Sequence, residues 1–453
     1  MSQLERFVVQ STGQRQSYYS RFVTPNLVRK LDWSPVVLLS GPRQSGKTTL
    51  CKAIQQDLSF GGTRYEYLTF DNQSTWEYAT DDPIGFVDQL PTYVILDEVQ
   101  LVPGIFRALK TKVDENRSAG RFLLTGSAQL SLSTGLADAL VGRMSLETLY
   151  PLAQIELNVP SASGEHAYVG LFDSEDLERN AQAPLFIQDL LEGHVSTEFL
   201  PRPRLERDLA QRLVEGGYPV ARTLDVRARR NWHHDYIRTI AQRDIQQLSS
   251  VRRIDIIPEL ARVAASQTSQ LFNLSAMGQT LELSRNTINE YVSILQSLYI
   301  LQYVPSWSNN RLSRTVKAPK LQFVDTGLAC SLLNLDVESL WKDRVLFGRF
   351  VETFVLQEVV KQLSWYEGAT SLFHYRDRDR NEVDIVIEKA GHGIVAIEVK
   401  TRATVRSSDF RVLRKLKQSS EKFIAGVVLY DGERTRSIDD DLYAVPLSKL
   451  WDM

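Results

Sequence analysis

The 453-residue chain is longer than one hydrophobic core usually serves, so we expect about two to four domains. A hydrophobic content of 43% and a charged content of 24% are typical of a soluble globular protein. The net charge of −2 excludes a global field that attracts polyanions, so any contact with nucleic acid needs local patches. No apolar run reaches the roughly 20 residues that span a bilayer, and the first residues lack the pattern of a signal peptide. Cys51 and Cys330 have no metal-ligand spacing. We therefore expect a cytoplasmic protein without membrane contact.

A glycine-rich segment follows the apolar run 36–40 and fits the phosphate-loop pattern G-x-x-x-x-G-K-[ST]. The glycines let the backbone curl so that N–H groups face phosphate oxygens, and the helix that follows directs its positive end there. Lys47 would neutralise a phosphate, and the Thr48 hydroxyl would bind Mg²⁺. The pattern therefore predicts an ATP site. Its residues are Gly41, Pro42, Arg43, Gln44, Ser45, Gly46, Lys47, Thr48 and Thr49.

Strand-like runs alternate with helical segments from about residue 20 to 155, which predicts a parallel sheet with crossover helices. The runs are 36–40, 65–70, 93–96, 121–125 and 146–150. The third run ends in Asp97 and Glu98. Next to a phosphate loop, Asp97 would hold Mg²⁺ through its water shell, and Glu98 would orient or deprotonate the attacking water. The alternative is an ordinary strand that ends in polar residues.

Two further groups follow this sheet pattern. Thr125 and Ser127 close the fourth run, where either could sense the γ-phosphate or simply form a turn. Arg143 precedes the fifth run and could stabilise transition-state charge in its own subunit or in a neighbour. An ordinary surface arginine explains that position equally well.

Four strings carry a family resemblance: GPRQSGKTTL, YVILDEVQ, FLLTGS, and LVGR followed by LYPL. Together they resemble the AAA-type ATPases of bacteria and archaea that have a DUF4143 domain at the C-terminus. The resemblance extends over most of the chain. It implies an AAA-type ATPase core, here residues 1–155, more firmly than it implies any biological role.

Residues 156–265 are interpreted as a polar insertion followed by a helical lid over the nucleotide; a plain connecting bundle is the alternative to the lid. The insertion, 158–204, is rich in proline, serine and charge, and its role does not follow from the sequence. Helical patterning then resumes around Gly216-Gly-Tyr-Pro219, a motif that the family also has. An amphipathic helix is expected over 231–247. The basic residues near it are a weak candidate for phosphate contact, because charge runs usually form solvated faces. They are Arg222, Arg227, Arg229, Arg230, His233 and His234.

Residues 266–318 match a winged helix. Helices are expected at 275–281 and 285–298, with Ser284 capping the second. The second helix would present Arg285, Asn286 and Asn289 outward, and strands at 300–304 and 311–316 would form the wing. Many winged helices bind only protein, so the pattern specifies the fold better than the ligand.

The C-terminal region, 319–453, contains a second set of charged residues. Glu352 lies in a helical segment, Asp384 opens a strand, and Glu398 and Lys400 share one face of the next strand. Carboxylates that converge from a helix and two strands suit metal-assisted phosphodiester hydrolysis. Glu352, Asp384 and Glu398 would hold Mg²⁺, or Mn²⁺, and Lys400 would position water or stabilise developing charge.

This order of residues resembles the PD-(D/E)xK nuclease fold, to which the DUF4143 domain is similar. The preceding residues Lys317, Pro319, Phe323, Asp325 and Gly327 match the DUF4143 pattern K-x-P-x…F-x-D-x-G. A nuclease-like fold can also persist as a structural or DNA-binding module without catalysis.

The sequence thus predicts a multidomain α/β protein: an AAA-type parallel sheet, a helical lid, a winged helix-turn-helix and a nuclease-like α/β domain. We expect ATP hydrolysis, DNA as partner and phosphodiester hydrolysis; a homo-oligomer is an open possibility. Two alternatives stay open. One is an ATP-dependent DNA-binding or remodelling protein whose nuclease fold is silent. The other is a nucleotide switch in a signalling or defence assembly.

Overall fold

The structure is a computed structural model, which describes residues 17–57, 59–60, 63–126, 140–158, 162–163, 185–197, 201–245, 253–310, 314 and 317–452. None of the helices in these ranges has the length and apolar character needed to cross a membrane.

The N-terminal unit is built around a five-stranded parallel sheet. The strands of this unit, within the sheet and outside it, are β1 (Ser17–Tyr18), β2 (Val36–Ser40), β3 (Ser59–Phe60), β4 (Thr63–Arg64), β5 (Glu66–Thr69), β6 (Val94–Asp97), β7 (Phe122–Thr125), β8 (Met144–Thr148) and β9 (Ala162–Ser163). Its helices are α1 (Thr24–Leu31), α2 (Lys47–Asp57), α3 (Gln73–Asp81), α4 (Pro83–Asp88), α5 (Ile105–Glu115) and α6 (Gln154–Asn158). The two short antiparallel pairs, β1 with β9 and β3 with β4, stand apart from the main sheet.

The main sheet has the order β5-β6-β7-β2-β8, and its neighbouring strands are parallel, as the alternating pattern predicts. Strands β2, β6 and β7 are buried along their whole length, which is why they read as continuous apolar runs. All five strands end at one edge of the sheet. The phosphate loop after β2 and the carboxylates after β6 therefore meet there, with β7 between them.

The next helices lie in the region predicted as a polar insertion and a helical lid. They are α7 (Phe186–Leu191) in the insertion, and α8 (Arg207–Glu215), α9 (Pro219–Arg222) and α10 (Val226–Ile240) in the segment called the lid. α10 begins earlier than the predicted helix and passes into a π-helical turn at Ala241–Ile245. Two of the six basic residues of this region, Arg229 and His233, are buried, whereas Arg227 is exposed. Arg229 donates to the carbonyls of Ala221 and Leu224, so it serves the packing of the lid.

Residues 257–323 form a helical unit with a three-stranded sheet. Its elements are α11 (Ile257–Ser266), β10 (Gln270–Leu271), α12 (Leu274–Leu281), α13 (Arg285–Ser297), β11 (Leu301–Val304) and β12 (Lys320–Phe323). The sheet order is β10-β12-β11, antiparallel throughout. The partner of β11 is β12, beyond the predicted boundary at residue 318. The predicted wing strand 311–316 lies outside the described residues except for Arg314.

The C-terminal unit is a six-stranded mixed sheet with a long helix against it. Its strands are β13 (Thr370–Arg376), β14 (Glu382–Lys389), β15 (Gly393–Lys400), β16 (Phe423–Tyr430), β17 (Arg436–Asp439) and β18 (Leu442–Pro446), in the order β13-β14-β15-β16-β18-β17. Its helices are α14 (Thr326–Leu332), α15 (Val337–Lys342), α16 (Arg344–Trp365) and α17 (Arg411–Ser419). The hairpin predicted between Asp384 and Glu398 is present as β14 and β15.

One continuous hydrophobic core, which includes residues from Phe22 to Trp451, joins the lid, the three-stranded unit and one face of the C-terminal sheet. Two glycine contacts tighten this junction. A Cβ on Gly217 would lie 2.4 Å from the Leu152 carbonyl oxygen, and one on Gly327 would lie 2.8 Å from the Gly216 Cα. The Gly216-Gly217 motif is thus explained by close backbone packing between the lid and α14.

Candidate active sites

The phosphate loop connects β2 to α2 through backbone conformations that need glycine. Gly41 has φ +145° and Gly46 has φ +101°, and a Cβ on Gly41 would lie 2.3 Å from the Leu149 carbonyl oxygen. The loop therefore closes against the segment after β8. Gln44, with φ +62°, completes the curl without being glycine.

Lys47 is buried at the first turn of α2, and its ammonium donates to the carbonyls of Gly41 (2.9 Å) and Pro42 (2.8 Å). Burial lowers the pKa of Lys47 to about 8, which the carboxylates of Glu98 and Asp97 only partly oppose. A bound phosphate would take over the ammonium's hydrogen bonds and supply the missing negative charge.

Asp97 is the centre of a hydrogen-bond network that joins three strands and the loop. Its Oδ2 accepts from Thr48 Oγ1 at 2.9 Å and from the Tyr67 hydroxyl at 2.6 Å, and its Oδ1 accepts from Thr125 Oγ1. Burial and the bond to Asp97 raise the pKa of Tyr67, so the tyrosine stays a donor. The structure brings together the predicted Mg²⁺ ligands Thr48 and Asp97. A hydroxyl and a carboxylate suit this hard cation, which would neutralise charge on the phosphates.

Glu98 adopts the left-handed conformation, with φ +60° and ψ +45°, immediately after β6. Its N–H donates to Thr125 Oγ1 at 3.0 Å, and its side chain accepts from the Gln100 amide. The Thr125 hydroxyl thereby fixes both carboxylate residues: it donates to the side chain of Asp97 and accepts from the backbone N–H of Glu98. Of the two hydroxyls proposed as γ-phosphate sensors, Thr125 lies in this network and Ser127 lies outside the described residues.

Three contacts to the loop region could not be found from sequence patterns. Buried Arg21 donates to the carbonyl of Ser45 at 2.8 Å and forms an ion pair of 3.1 Å with buried Glu156. The hydroxyl of Tyr236 on α10 donates to the carbonyl of Arg43 at 3.1 Å. Each joins residues far apart in the chain, which no local spacing indicates. The lid therefore touches the loop directly.

Arg143 lies at the opposite edge of the sheet from the loop. Met144, the next residue, pairs with Val36 at the amino end of β2, and the guanidinium forms an ion pair with Asp114 on α5. Arg143 is therefore placed away from a nucleotide in the loop of its own chain. A role toward a neighbouring subunit stays a prediction.

The three carboxylates predicted to hold a metal in the C-terminal unit lie on α16 (Glu352), β14 (Asp384) and β15 (Glu398). Asp384 Oδ2 accepts from the Val399 N–H at 2.9 Å, which ties it to the strand that carries Glu398. Lys400 Nζ lies 2.5 Å from Glu398 Oε1, consistent with the shared face of the two side chains. The adjacent strands β14 and β15 therefore bring Asp384, Glu398 and Lys400 together, whereas Glu352 lies on a helix.

Lys320, on β12, is a member of this group that the sequence analysis missed. Its side chain is 4% exposed, and its ammonium lies 2.6 Å from Glu352 Oε1 and 3.6 Å from Asp384 Oδ1. The two carboxylates raise the pKa of Lys320 despite its burial. Lys320 directly follows Pro319 of the matched family pattern, but its partners are 32 and 64 positions away along the chain.

Burial and repulsion from Asp384 raise the pKa of both Glu352 and Glu398 well above the ordinary carboxyl range. Glu398 Oε2 is buried and has no hydrogen-bond partner among the atoms that the structure describes. Both observations suit a site that accepts a cation, and three carboxylates are suitable donors for Mg²⁺ or Mn²⁺. Across the described residues, however, no three His, Cys, Asp or Glu side chains are grouped closely enough to hold a metal ion.

Glycine-rich loop, paired carboxylates and strand order together define a P-loop nucleotide-binding protein. Family models agree: residues 34–158 match an AAA domain, and residues 347–450 match a domain of unknown function, DUF4143. The chain thus contains an AAA domain and a C-terminal DUF4143 domain, as its motifs predict. A further domain of unknown function, DUF8612, matches residues 206–339, which include the lid from α8 onward and the three-stranded unit. The AAA domain supports ATP binding and ATPase activity.

Three similar proteins are described as uncharacterized. Uncharacterized proteins of Mycobacterium tuberculosis and Mycobacterium bovis are each 25% identical over 431 residues, covering 95% of this chain and 84% of theirs. An uncharacterized protein of Haemophilus influenzae is 22% identical over 67% of this chain and 70% of its own. Among solved structures, C. elegans PCH-2 matches 59% of this chain and 67% of its own with 15% identity and a TM-score of 0.21, too low to indicate a shared fold.

Proposed function

We propose that this chain hydrolyses ATP at its phosphate loop and uses the nucleotide cycle to control how its C-terminal units contact DNA. The observation that carries the first part is the Asp97 network, in which Thr48 and Thr125 hold one carboxylate beside Lys47 and Glu98. These are the groups that phosphoryl transfer to water needs: a phosphate cradle, a metal ligand and a base.

The roles follow from position. Lys47 would bind the β- and γ-phosphates, Thr48 and Asp97 would hold Mg²⁺, and Glu98 would accept the proton of the attacking water. Thr125 would keep the two carboxylates oriented. Replacing Lys47 by alanine should abolish ATP turnover, whereas Lys52→Ala, on the exposed side of the same helix, should leave it unchanged. Turnover retained by the Lys47 variant would overturn the assignment.

Coupling to the C-terminal units is supported by contacts that lead away from the loop. Tyr236 touches the loop at Arg43, and its hydroxyl lies 3.2 Å from that of Tyr218. The neighbouring Gly217 donates its N–H to Asp325 Oδ2 at 2.7 Å, just after β12. A nucleotide that moves the lid would therefore also shift the contact between Gly217 and Asp325, and with it the position of the lid relative to β12. Equal DNA affinity with ATP, with ADP and without nucleotide would refute the coupling.

DNA as the partner is supported by the exposed face of α13. Ser284 caps this helix by accepting from the Thr287 N–H at 3.1 Å, and the apolar face of the helix is buried. Arg285, Asn286 and Asn289 stay exposed, as a base-reading helix requires. In the alternative function, a nucleotide switch in a signalling or defence assembly, the same face would bind a protein partner. The two are distinguished by salt, because only DNA binding should fall steeply as salt rises.

Metal-dependent phosphodiester hydrolysis is a second candidate activity, favoured by the convergence of Glu352, Asp384, Glu398 and Lys400. The carboxylates would hold the metal, which would supply Lewis acidity, and Lys400 would stabilise charge that develops on the cleaved phosphate. The test incubates wild type, Asp384→Ala and the exposed control Asp440→Ala with single-stranded, duplex and branched DNA, Mg²⁺ or Mn²⁺, with and without ATP. Cleavage lost only in Asp384→Ala supports the nuclease. No cleavage with ATPase intact favours the silent, DNA-binding alternative.

A further inference from the structure

Lys320 occupies the position between two carboxylates where a metal ion would otherwise be expected. Its ammonium contacts Glu352 Oε1 at 2.6 Å and lies 3.6 Å from Asp384 Oδ1, and the lysine is 3% exposed. A buried ammonium is stable only with compensating charge, and these carboxylates supply it.

The other carboxylate oxygens of the cluster are also largely engaged. Asp384 Oδ2 accepts from the Val399 N–H, and Glu398 Oε1 contacts Lys400. Glu398 Oε2 is the buried carboxylate oxygen of the cluster for which the structure describes no partner. A divalent ion needs several oxygens at once. Lys320 therefore blocks the two carboxylates that would complete the ligand set with Glu398.

Lys320 belongs to a different unit from the groups it contacts. It is the first residue of β12, the middle strand of the three-stranded sheet, where it pairs with Val304 on β11 and Leu271 on β10. The carboxylates lie on α16 and β14. The position of the ammonium therefore depends on how the three-stranded unit packs against the C-terminal sheet.

We propose that Lys320 is the built-in cation of this cluster and competes with a divalent metal for Glu352 and Asp384, so that the metal binds when Lys320 withdraws. The inference rests on the second candidate activity. It makes Lys320 a positioning residue that sets whether the C-terminal site can be loaded with metal.

The test measures Mn²⁺ binding to the full chain without nucleotide, by calorimetry and by the electron paramagnetic resonance signal of free Mn²⁺. Lys320→Met should bind Mn²⁺ at least about tenfold more tightly than wild type, since one positive charge has left the site. Adding Asp384→Ala to this variant should remove the gain. Lys317→Met, an exposed lysine in the segment leading to β12, should bind as wild type does.

Lys320→Gln provides a second variant, because its amide can still donate to Glu352 without carrying charge, and circular dichroism checks the fold of both. Equal Mn²⁺ affinity in wild type and both variants would overturn the competition but leave the nuclease candidate intact. No Mn²⁺ binding in any of them would overturn both. The cleavage assay with Asp384→Ala addresses the nuclease independently.

Discussion

The hydroxyl of Tyr236 on the lid helix donates a 3.1 Å hydrogen bond to the carbonyl of Arg43 inside the phosphate loop. This bond ties a residue of the lid to the backbone that must close around a nucleotide. It also starts the series of contacts through Tyr218 and Gly217 that reaches Asp325 next to β12. Contacts through the lid therefore connect the loop to the C-terminal units, beside the direct contact of Ser40 with Tyr299.

Tyr236→Phe tests that relationship. Losing the hydroxyl should cost about 0.5–1.5 kcal/mol at this contact and reduce the difference in DNA affinity between the ATP-bound and nucleotide-free protein. Tyr78→Phe, a partly exposed tyrosine of the AAA domain, is the matched control. Fluorescence anisotropy with labelled duplex DNA measures the difference. An ATP effect of wild-type size in Tyr236→Phe would show that the contact transmits nothing.

The lowered pKa of Lys47 gives a prediction for nucleotide binding. With a pKa of about 8, Lys47 is largely deprotonated at pH 9 in the free protein, and ATP phosphates favour its ammonium form. ATP binding should therefore take up about one proton at pH 9 and much less at pH 7. Calorimetry in buffers of different ionisation enthalpy counts the protons. In Lys47→Arg this uptake should vanish, because guanidinium keeps its charge throughout this range; equal uptake at both pH values would contradict the assignment.

The raised pKa values of Glu352 and Glu398 predict how stability depends on pH. A carboxyl whose folded pKa is raised contributes stability that is complete below its unfolded pKa, about 4.3, and is lost as pH rises through the folded pKa. Without divalent metal, Glu352→Gln should therefore reduce the loss of unfolding free energy between about pH 5 and 8 by on the order of 1 kcal/mol. This reduction appears as a shallower fall in apparent Tm. Scanning calorimetry compares the two slopes. Lys320 does not contribute there, because its raised pKa lies above this window. An equal dependence of apparent Tm on pH in wild type and Glu352→Gln would contradict the claim that burial raises the pKa of Glu352.

Arg285 tests the DNA-binding face of α13. Arg285→Ala should weaken duplex binding and, if the side chain contacts phosphate, lower the salt slope by about one unit. Arg262→Ala, on α11 and paired with Glu259, should change neither quantity. Anisotropy titrations at several salt concentrations measure both. Unchanged affinity in Arg285→Ala would favour a protein partner for this face.

Motifs predicted the AAA domain because its chemistry requires fixed local spacing. The loop, Asp97 and Thr125 were each identified from their own neighbours in the chain, and parallel strands bring the three to one edge of the sheet. Arg21, Tyr236 and Lys320 were missed because each acts through a partner distant in sequence. The wing was predicted only in part: β11 pairs with β12, which lies beyond the predicted boundary at residue 318, and the predicted strand 311–316 lies outside the described residues except for Arg314.

Hydrolysis of ATP by Glu98→Gln tests the central claim most directly. The amide keeps the shape of the side chain but cannot accept the proton of the attacking water, so ATP should still bind while turnover falls by about 10²-fold or more. Glu77→Gln, on the exposed helix α3, serves as control and should hydrolyse at the wild-type rate. Steady-state phosphate release together with nucleotide-binding titrations gives both quantities. Wild-type turnover in Glu98→Gln would contradict the account; tight binding with turnover lost is the result that it predicts.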